Sequence, residues 1–269
     1  MSTSNRSFNL IRRSLAVLAL ALASVHAQAG VLYGTLGTGS ANSVLVEIDQ
    51  VTGAITTIGA VGYSVNGLTY DSTTGTLYGS ARQGGGLLAI NTATGAGTLV
   101  NGGFGLNNVL LASNSAGDLF GWYDPSQDDM TSINKVTGVA SVVGESGIGT
   151  AAHGLAFDNL DNLYLHNYDG SFYSMNTTTG AATYLGTTGV RAHHGDFNPL
   201  NNYYYGVGLT GELVILDLVN GGTYIGSVST GASDLHTLAF ASVPEAGTTV
   251  ILLGMSLAGL AAARRKFKA

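Results

Sequence analysis

The chain has 269 residues, of which 40 are glycine, none is cysteine and only 10% are charged, with a formal net charge of −6. Without cysteine, the protein forms no disulfide bond, thiolate metal site or cysteine nucleophile. The negative charge excludes a basic nucleic-acid-binding protein. Apolar residues make up 45% of the chain, enough for a packed core. The glycines follow no Gly-X-Y period, so they indicate many tight turns rather than collagen.

The first 29 residues have the pattern of a secretory signal peptide. Three arginines precede an apolar run at 15–25, which is followed by the small-x-small sequence of Ala27, Gln28 and Ala29. The apolar run is too short to span a membrane comfortably. We therefore expect residues 1–29 to be removed during export, with Ala27 and Ala29 forming the cleavage site.

Residues 30–242 contain a repeat of about 42 residues, marked by an Asx-x-x-Thr-Gly turn. The turn glycines lie at intervals of 42, 43, 42 and 41 residues; they are Gly53, Gly95, Gly138, Gly180 and Gly221. Each repeat reads as four short strands rich in Val, Ile, Thr, Tyr and Leu, separated by Gly, Asn and Asp. Four strands in 42 residues are the size of one β-propeller blade. The sequence predicts an all-β fold, a propeller of five blades.

We name the strands of each repeat A to D in order. The body begins with a B strand at 31–34 and ends with an A strand at 237–240. If the N-terminal strands pair with the C-terminal strand, they complete a fifth blade and leave no open edge in the ring. An open β-solenoid or a β-sandwich is the alternative. Residues 48–59 match an Ile-Asp-x-x-Thr-Gly-x-x-Thr-x-Ile-Gly signature, and the repeat thereby resembles YncE-like and other secreted bacterial propellers.

Residues 243–269 form a short motif, an apolar stretch and a basic end. The motif contains Val243, Pro244, Glu245 and Ala246, and the 16 residues 248–263 carry no charge. The basic end consists of Arg264, Arg265, Lys266 and Lys268. The apolar stretch predicts a transmembrane helix, and the positive-inside rule places the basic end in the cytoplasm.

This tail resembles the PEP-CTERM sorting signal of Gram-negative bacteria, with Ala246 in place of the second proline. The resemblance implies recognition by an exosortase, a membrane transpeptidase that processes the tail. It also implies a transient inner-membrane intermediate and a final location at the cell surface or in the extracellular matrix. Similar tails are also catalogued as the C-terminal domain of ice-binding proteins.

Histidines recur at one position of the repeat, just ahead of strand A. The residues at this position are Asn66, Asn108, His153, His193 and His236. Because the first strand of a blade lines the central channel, we expect these five side chains to form a ring at one mouth of that channel. Neutral imidazoles are good ligands for Zn, Cu, Ni or Fe. The ring is therefore a candidate site for a divalent metal or another ligand, and a ring of hydrogen-bonded residues solvated by water is the alternative.

An acidic insert lengthens the B–C loop of the third repeat. Its carboxylates Asp124, Asp128 and Asp129 are a candidate site for Ca²⁺. Their spacing matches no EF-hand, and a solvated acidic loop is the alternative. The repeated Asx residues of the Thr-Gly turns are interpreted as structural, because such side chains hold turn backbones.

Two hypotheses of function remain. No serine-nucleophile, zinc-protease or phosphate-loop motif is present. This absence and the sorting tail favour a non-enzymatic, exported propeller that binds or organises components of an exopolysaccharide or biofilm matrix at the cell surface. The alternative is an exported lyase or glycosidase with its site at the channel mouth, because propeller glycosidases can assemble paired carboxylates from distant blades. Residues 30–242 hold three basic and 15 acidic residues, a net charge of −12, which disfavours nucleic acid as a partner.

Overall fold

The protein folds into five four-stranded antiparallel sheets arranged as the blades of a β-propeller. The structure is a computed structural model. It describes residues 30–241 except for 38–41, 83–84, 101–107, 124–127 and 150–151. Within these residues every regular element is a strand. The predicted all-β, five-bladed propeller is therefore confirmed.

The twenty strands follow the predicted A-to-D order around the ring. Blade 1 contains β20 (Leu235–Ala241), β1 (Val31–Leu36), β2 (Val44–Ile48) and β3 (Ile55–Ala60). Blade 2 contains β4 (Val65–Asp71), β5 (Thr76–Ala81), β6 (Gly86–Ile90) and β7 (Gly97–Leu99). Blade 3 contains β8 (Asn108–Ser113), β9 (Leu119–Tyr123), β10 (Asp129–Ile133) and β11 (Ala140–Glu145). Blade 4 contains β12 (Ala152–Phe157), β13 (Leu163–Asn167), β14 (Ser171–Met175) and β15 (Ala182–Thr187). Blade 5 contains β16 (Ala192–Phe197), β17 (Tyr204–Gly208), β18 (Leu213–Asp217) and β19 (Thr223–Val228).

The ring closes where the last strand pairs with the first. β20 pairs antiparallel with β1, from Val31 opposite Ala241 to Thr35 opposite Thr237. The hydroxyl groups of Thr35 and Thr237 share a hydrogen bond of 2.8 Å, and both residues are fully buried. This pairing confirms the composite blade predicted from the repeat order.

The A strands form the inner wall of the propeller and the D strands its outside. β20, β4, β8, β12 and β16 contact one another in sequence around the ring, and β16 returns to β20. The D strands β3, β11, β15 and β19 are mostly exposed. The apolar core lies between neighbouring sheets. One cluster, for example, joins Trp122 and Met130 of blade 3 to Leu155 and Leu165 of blade 4.

The Thr-Gly turns connect strands C and D at one end of every blade. In the first turn, the Asp49 carboxylate accepts hydrogen bonds from the backbone N–H groups of Val51 and Thr52. Asn91, Asn134 and Asn176 repeat this arrangement. All five turn glycines have a φ between 70° and 98°, in the left-handed region where only glycine is unstrained. These contacts support the structural interpretation of the repeated Asx residues.

The predicted signal peptide at 1–29 and the sorting tail at 243–269 lie outside the described residues. The apolar stretch at 248–263 therefore remains a sequence prediction. In the part of the chain that the structure describes, no helix has the length and hydropathy needed to cross a membrane.

Candidate functional site

A break in strand register lies at the start of all five inner strands. In β12, Ala152 pairs with Asn167 and Gly154 pairs with His166, so His153 has no partner in the ladder. The same skip occurs at His236 in β20 and at Asn66 in β4. Such bulges bend a strand and redirect the unpaired side chain. They explain how histidines of separate blades reach one end of the channel.

β16 carries the widest of these breaks. Ala192 pairs with Gly208 and the next pair is Gly195 with Gly206, so both His193 and His194 are skipped. Neighbouring residues of a regular strand point to opposite faces. Because the ladder is interrupted here, both imidazoles reach the same cluster.

Four imidazoles meet at this mouth of the channel, and we name His153, His193, His194 and His236 the histidine cluster. The ring centroids of His153 and His193 are 5.1 Å apart, and those of His194 and His236 are 4.9 Å apart, both edge to face. His153–His194 and His193–His236 are each separated by 6.4 Å. The cluster thus joins blades 4, 5 and 1.

Burial keeps the histidine cluster uncharged at neutral pH. It lowers the pKa of His153 and of His236 to about 4, with a further contribution from the neighbouring His193 in both cases. Burial also lowers the pKa of His193 and, more strongly, that of His194. Each neutral ring offers one N–H donor and one nitrogen lone pair. The cluster can therefore both donate to and accept from a ligand.

Two nitrogen atoms of the cluster lack a hydrogen-bond partner among the described residues. They are Nδ1 of His193 and Nε2 of His236, and both atoms are shielded from bulk solvent. A buried polar atom without a partner costs about 1–3 kcal/mol. A water molecule or a ligand that reaches these atoms would supply the missing hydrogen bonds.

Two arginines lie at the rim of this mouth, beside acidic residues of the loops at the same end such as Asp169 and Asp234. The guanidinium carbon of Arg191 lies 5.2 Å from the ring centroid of Tyr168, which itself lies 5.0 Å from His153. Arg82 is exposed and contributes electrostatically to the lowered pKa of His236. The third basic residue of the body, Lys135, lies in a Thr-Gly turn at the opposite end and pairs with Asp71. Both arginines of an otherwise acidic body therefore belong to the histidine mouth.

The channel is closed below the histidine cluster by apolar side chains. His194 is only 9% exposed and shares a small space with Leu68, Leu110 and Leu155. That space does not admit a sphere of the size of water. A ligand at this mouth therefore contacts the cluster from outside and does not pass through the propeller along this path.

The structure differs from the predicted ring in three respects. The predicted positions lie within the inner strands rather than just ahead of them, because the ladder begins one residue earlier. In β8, Asn108 pairs with Tyr123 and the register breaks at Val109, so Asn108 does not occupy the bulge position held by Asn66 and the histidines. His194, which the repeat alignment left outside the ring, is part of the cluster.

The described residues contain no group of three or more His, Asp or Glu side chains arranged to hold a metal ion. The rings of His153, His193 and His236 lie close together, and metal binding by them stays a prediction. Of the acidic insert, Asp124 lies outside the described residues, Asp129 is buried, and Asp128 accepts a 3.4 Å hydrogen bond from Ser146. The absence of a metal-binding group among the described residues also gives no support to a calcium site at the insert.

Comparisons with known proteins bear on the tail and on the fold. Residues 242–267 match the VPDSG-CTERM motif. Val243, Pro244 and Gly247 agree with the letters of that motif, and Glu245 and Ala246 replace Asp and Ser with an acidic and a small residue. Ala246, at which the tail departs from Pro-Glu-Pro, therefore aligns with a small residue, serine, in the VPDSG motif. No curated protein sequence matches the chain.

Solved structures share the architecture of the body. A chain of the nidogen/laminin complex matches with a TM-score of 0.56 and 11% identity, over 79% of this chain and 98% of that chain. A Bacteroides thetaiotaomicron protein of unknown function matches with a TM-score of 0.49 and 14% identity, over 74% of this chain and 57% of that chain. At these identities the likeness extends to the fold alone. Together, the motif and the fold indicate an exported protein with a β-propeller body and a C-terminal sorting signal of the PEP-CTERM-like VPDSG type.

Proposed function

We propose that this protein is a non-enzymatic binding propeller, held at the cell surface or in the matrix, whose histidine mouth binds matrix polysaccharide. The observation that carries the proposal is the pair of unpartnered nitrogen atoms on His193 and His236. They belong to a neutral imidazole cluster at the open end of a rigid ring, on a chain with a sorting motif. Sugar hydroxyl groups both donate and accept hydrogen bonds, which suits neutral imidazoles.

The charge of the body supports the same ligand class. A net charge of −12 over residues 30–242 repels anionic polymers from most of the surface. Arg82 and Arg191 are exposed at the histidine mouth, and neither makes a salt bridge to a described residue. Arginine binds carboxylates in a bidentate manner. Arg82 and Arg191 are therefore the groups of this mouth that would bind carboxylates of acidic sugars, against repulsion from nearby Asp169 and Asp234.

Binding and turnover are tested together on matrix polysaccharide with the purified exported protein. We expect saturable binding without product. His193→Ala and His236→Ala weaken it, and Leu200→Ala, an exposed change at the opposite end, does not. Released oligosaccharide that disappears with His193→Ala would instead establish the alternative, a lyase or glycosidase. Equal binding by all variants would show that the histidine mouth is not the polysaccharide-binding site.

Export proceeds in this proposal through an inner-membrane intermediate that an exosortase-type transpeptidase processes. The acidic and small residues at Glu245 and Ala246 keep the character of the VPDSG motif. Mass spectrometry of the protein recovered from the surface of cells that contain the transpeptidase tests this step. We expect a chain that ends near residue 247, and a chain that still carries 248–269 contradicts it.

A divalent metal at the cluster stays a separate proposal. The neutral rings are suitable ligands, and because no three protein ligands converge, water or the polysaccharide would complete the coordination. The test compares thermal stability with and without added Zn²⁺, alongside metal analysis of the purified protein. We expect a Zn²⁺-dependent rise in Tm that His153→Ala abolishes. An unchanged Tm and a purified protein without metal would show that the cluster does not bind a metal ion.

A further inference from the structure

The opposite mouth of the channel holds a cavity of about 360 Å³. All five inner strands contribute to its wall near their C-terminal ends: Thr69 and Tyr70 of β4, Ser113 of β8, Phe157 of β12, Asp196 and Phe197 of β16, and Phe240 of β20. The turns that join strands A and B form its rim. Its volume falls within the range of about 300–1,000 Å³ typical of small-molecule sites.

The cavity exists because one blade departs from the repeat. The equivalent position near the end of strand A is aromatic in four blades, as Tyr70, Phe157, Phe197 and Phe240, and serine in the fifth, as Ser113. The three phenylalanines are buried in the clusters between blades. Serine leaves the corresponding space open. Its Oγ is shielded from solvent and has no hydrogen-bond partner among the described residues.

A second departure places a carboxyl group in the same wall. Asp196 occupies the position held in other blades by Thr69, Ala112, Ala156 and Ala239. One carboxyl oxygen accepts a hydrogen bond of 2.9 Å from the N–H of Phe197, and the other accepts one of 2.8 Å from the N–H of Phe240 in the neighbouring blade. Burial raises the pKa of Asp196 to about 7 against the lowering effect of these two bonds. The group is fixed in orientation, and it is half-buried in the cavity wall.

The rim is braced between blades before any ligand arrives. Ser115 donates to Asp161 of the next blade through both its N–H, at 2.8 Å, and its hydroxyl, at 2.5 Å. The backbone N–H of Asn159 donates to the side chain of Asn202 at 2.9 Å. The Asn159 side chain also donates to the carbonyl of Pro199 at 2.9 Å. A cavity with a fixed rim loses little conformational entropy on binding.

The charge of the lining disfavours anionic ligands. It contains no Lys, Arg or His, and it includes three carboxyl groups, Asp158, Asp161 and Asp196, so anions are repelled. Within the described residues no group of three acidic or histidine side chains is arranged for a metal ion. Hydroxyl, amide and carboxyl groups dominate the polar part of the wall. Such groups bind hydroxyl groups by donating and accepting hydrogen bonds.

We propose that this cavity is a second binding site, which takes a neutral, hydroxylated ligand of the size of a monosaccharide between Ser113 and Asp196. The site is separate from the histidine mouth, because it lies at the other end of the channel and shares no lining residue with the histidine cluster. The protein therefore has two faces that contact sugars of different charge.

The test uses glucose, galactose, mannose and N-acetylglucosamine as probes in saturation-transfer NMR with the purified exported protein. We expect at least one of these sugars to receive saturation from the wild-type protein. Ser113→Phe restores the aromatic residue of the other blades and fills the cavity, so the signal should fall at least tenfold. Leu185→Ala is the control and should leave the signal unchanged, because Leu185 is 45% exposed on the outer strand β15, away from both mouths.

The proposal is overturned if none of the four sugars receives saturation, or if folded Ser113→Phe retains the wild-type signal. Circular dichroism establishes whether that variant folds. If it does not fold, Ser72→Trp provides the block from the rim, where Ser72 lines the entrance within a turn. Retention of the signal in folded Ser72→Trp would then contradict the proposal. Polysaccharide binding by His193→Ala tests only the histidine mouth. The proposed function and the proposed second site can therefore be refuted independently.

Discussion

The two mouths of the channel are built from the same five strands but differ in how they depart from the repeat. At the histidine mouth, bulges interrupt the ladders and redirect polar side chains of three blades into one cluster. At the opposite mouth the ladders stay regular, and substitutions at two repeat positions, Ser113 and Asp196, create a cavity. Sites thus arise in this repeat fold where single blades depart from the repeat. Bulges in the strands and substitutions at repeat positions give two chemically different surfaces.

The closing strand β20 contributes to both mouths, since it carries His236 at one end and Phe240 at the other. Leu238 in its middle is 1% exposed and packs between blades 5 and 1. We expect Leu238→Ala to cost about 2–5 kcal/mol of unfolding free energy, the range for a buried leucine. Leu209→Ala is the control, because Leu209 is 49% exposed.

Urea denaturation measures both variants. If Leu238→Ala costs no more than Leu209→Ala, then the composite blade does not hold the ring together, and the two mouths do not depend on one closing element.

A salt bridge joins two blades at the cavity end of the propeller. Lys135 of blade 3 donates to the fully buried side chain of Asp71 in blade 2 at 2.6 Å. Burial opposes the charge on Asp71, but hydrogen bonds from Lys135, Thr73 and Thr74 outweigh it and lower the pKa to about 2. Lys135→Met removes the counter-charge of this buried carboxylate, which keeps its hydrogen bonds from Thr73 and Thr74. We expect a cost of about 2 kcal/mol, below the ~3–5 kcal/mol for a fully buried pair because Lys135 is partly exposed.

The double variant Lys135→Met/Asp71→Asn removes the charge as well and should recover part of that stability in the same urea titration. No recovery would mean that Lys135 contributes through the packing of its aliphatic stem rather than through its charge.

Acid should affect the two mouths in opposite directions. Burial lowers the pKa of His153, His166 and His236 to about 4 from an ordinary 6.5, so the unfolded chain binds more protons than the native protein between these pH values. Stability contributed by these neutral rings is complete above pH 6.5 and is lost as the pH falls towards 4. Asp196, with its pKa raised to about 7, instead favours the native state as the pH falls below 7.

Because the histidines outnumber the single aspartate, we expect Tm to fall between pH 6.5 and pH 4. His236→Gln should reduce this fall, and Asp196→Asn should steepen it. Thermal melts at half-unit pH intervals measure the slopes. A Tm that is flat across this range, or slopes that are equal in both variants, would contradict the buried neutral state of the cluster.

The smallest effect is expected from filling the cavity. Ser113→Phe adds apolar surface to a space that four other blades already fill with an aromatic ring. We expect a change in unfolding free energy within about 1 kcal/mol, below the ~1–3 kcal/mol of an overpacked core. A larger loss in a urea titration would show that the wall around Ser113 is packed too tightly for the cavity to admit a ligand.

The sequence was sufficient to predict the five-bladed ring but not the arrangement of side chains at its two mouths. The regular spacing of Gly53 and its equivalents predicted five blades, because each turn needs a residue with positive φ at the same place. The A strand at the end of the body and the B strand at its start predicted the closure through β20 and β1. His153, His193 and His236 share one repeat position, and their rings lie within 6.4 Å of a neighbouring ring of the cluster.

What the repeat alignment missed depends on register and on packing across blades. His194 joins the cluster only because β16 skips two residues, and a bulge leaves no signal in hydrophobic alternation. Asn108 was aligned with Asn66 by type, although the ladder of β8 breaks one residue later. The serine among aromatic residues at position 113 could have been found from the repeat. That it opens a cavity becomes evident only once the five inner strands surround one axis.

The dissociation constant for matrix polysaccharide, measured on the exported protein, tests the central claim that the histidine mouth is the binding face. The comparison requires the wild type, the double variant His193→Ala/His236→Ala and Ser113→Phe. We predict that the double variant weakens binding at least tenfold, about 1.4 kcal/mol, and that Ser113→Phe binds as the wild type does. Equal affinity of the wild type and the double variant would contradict the account.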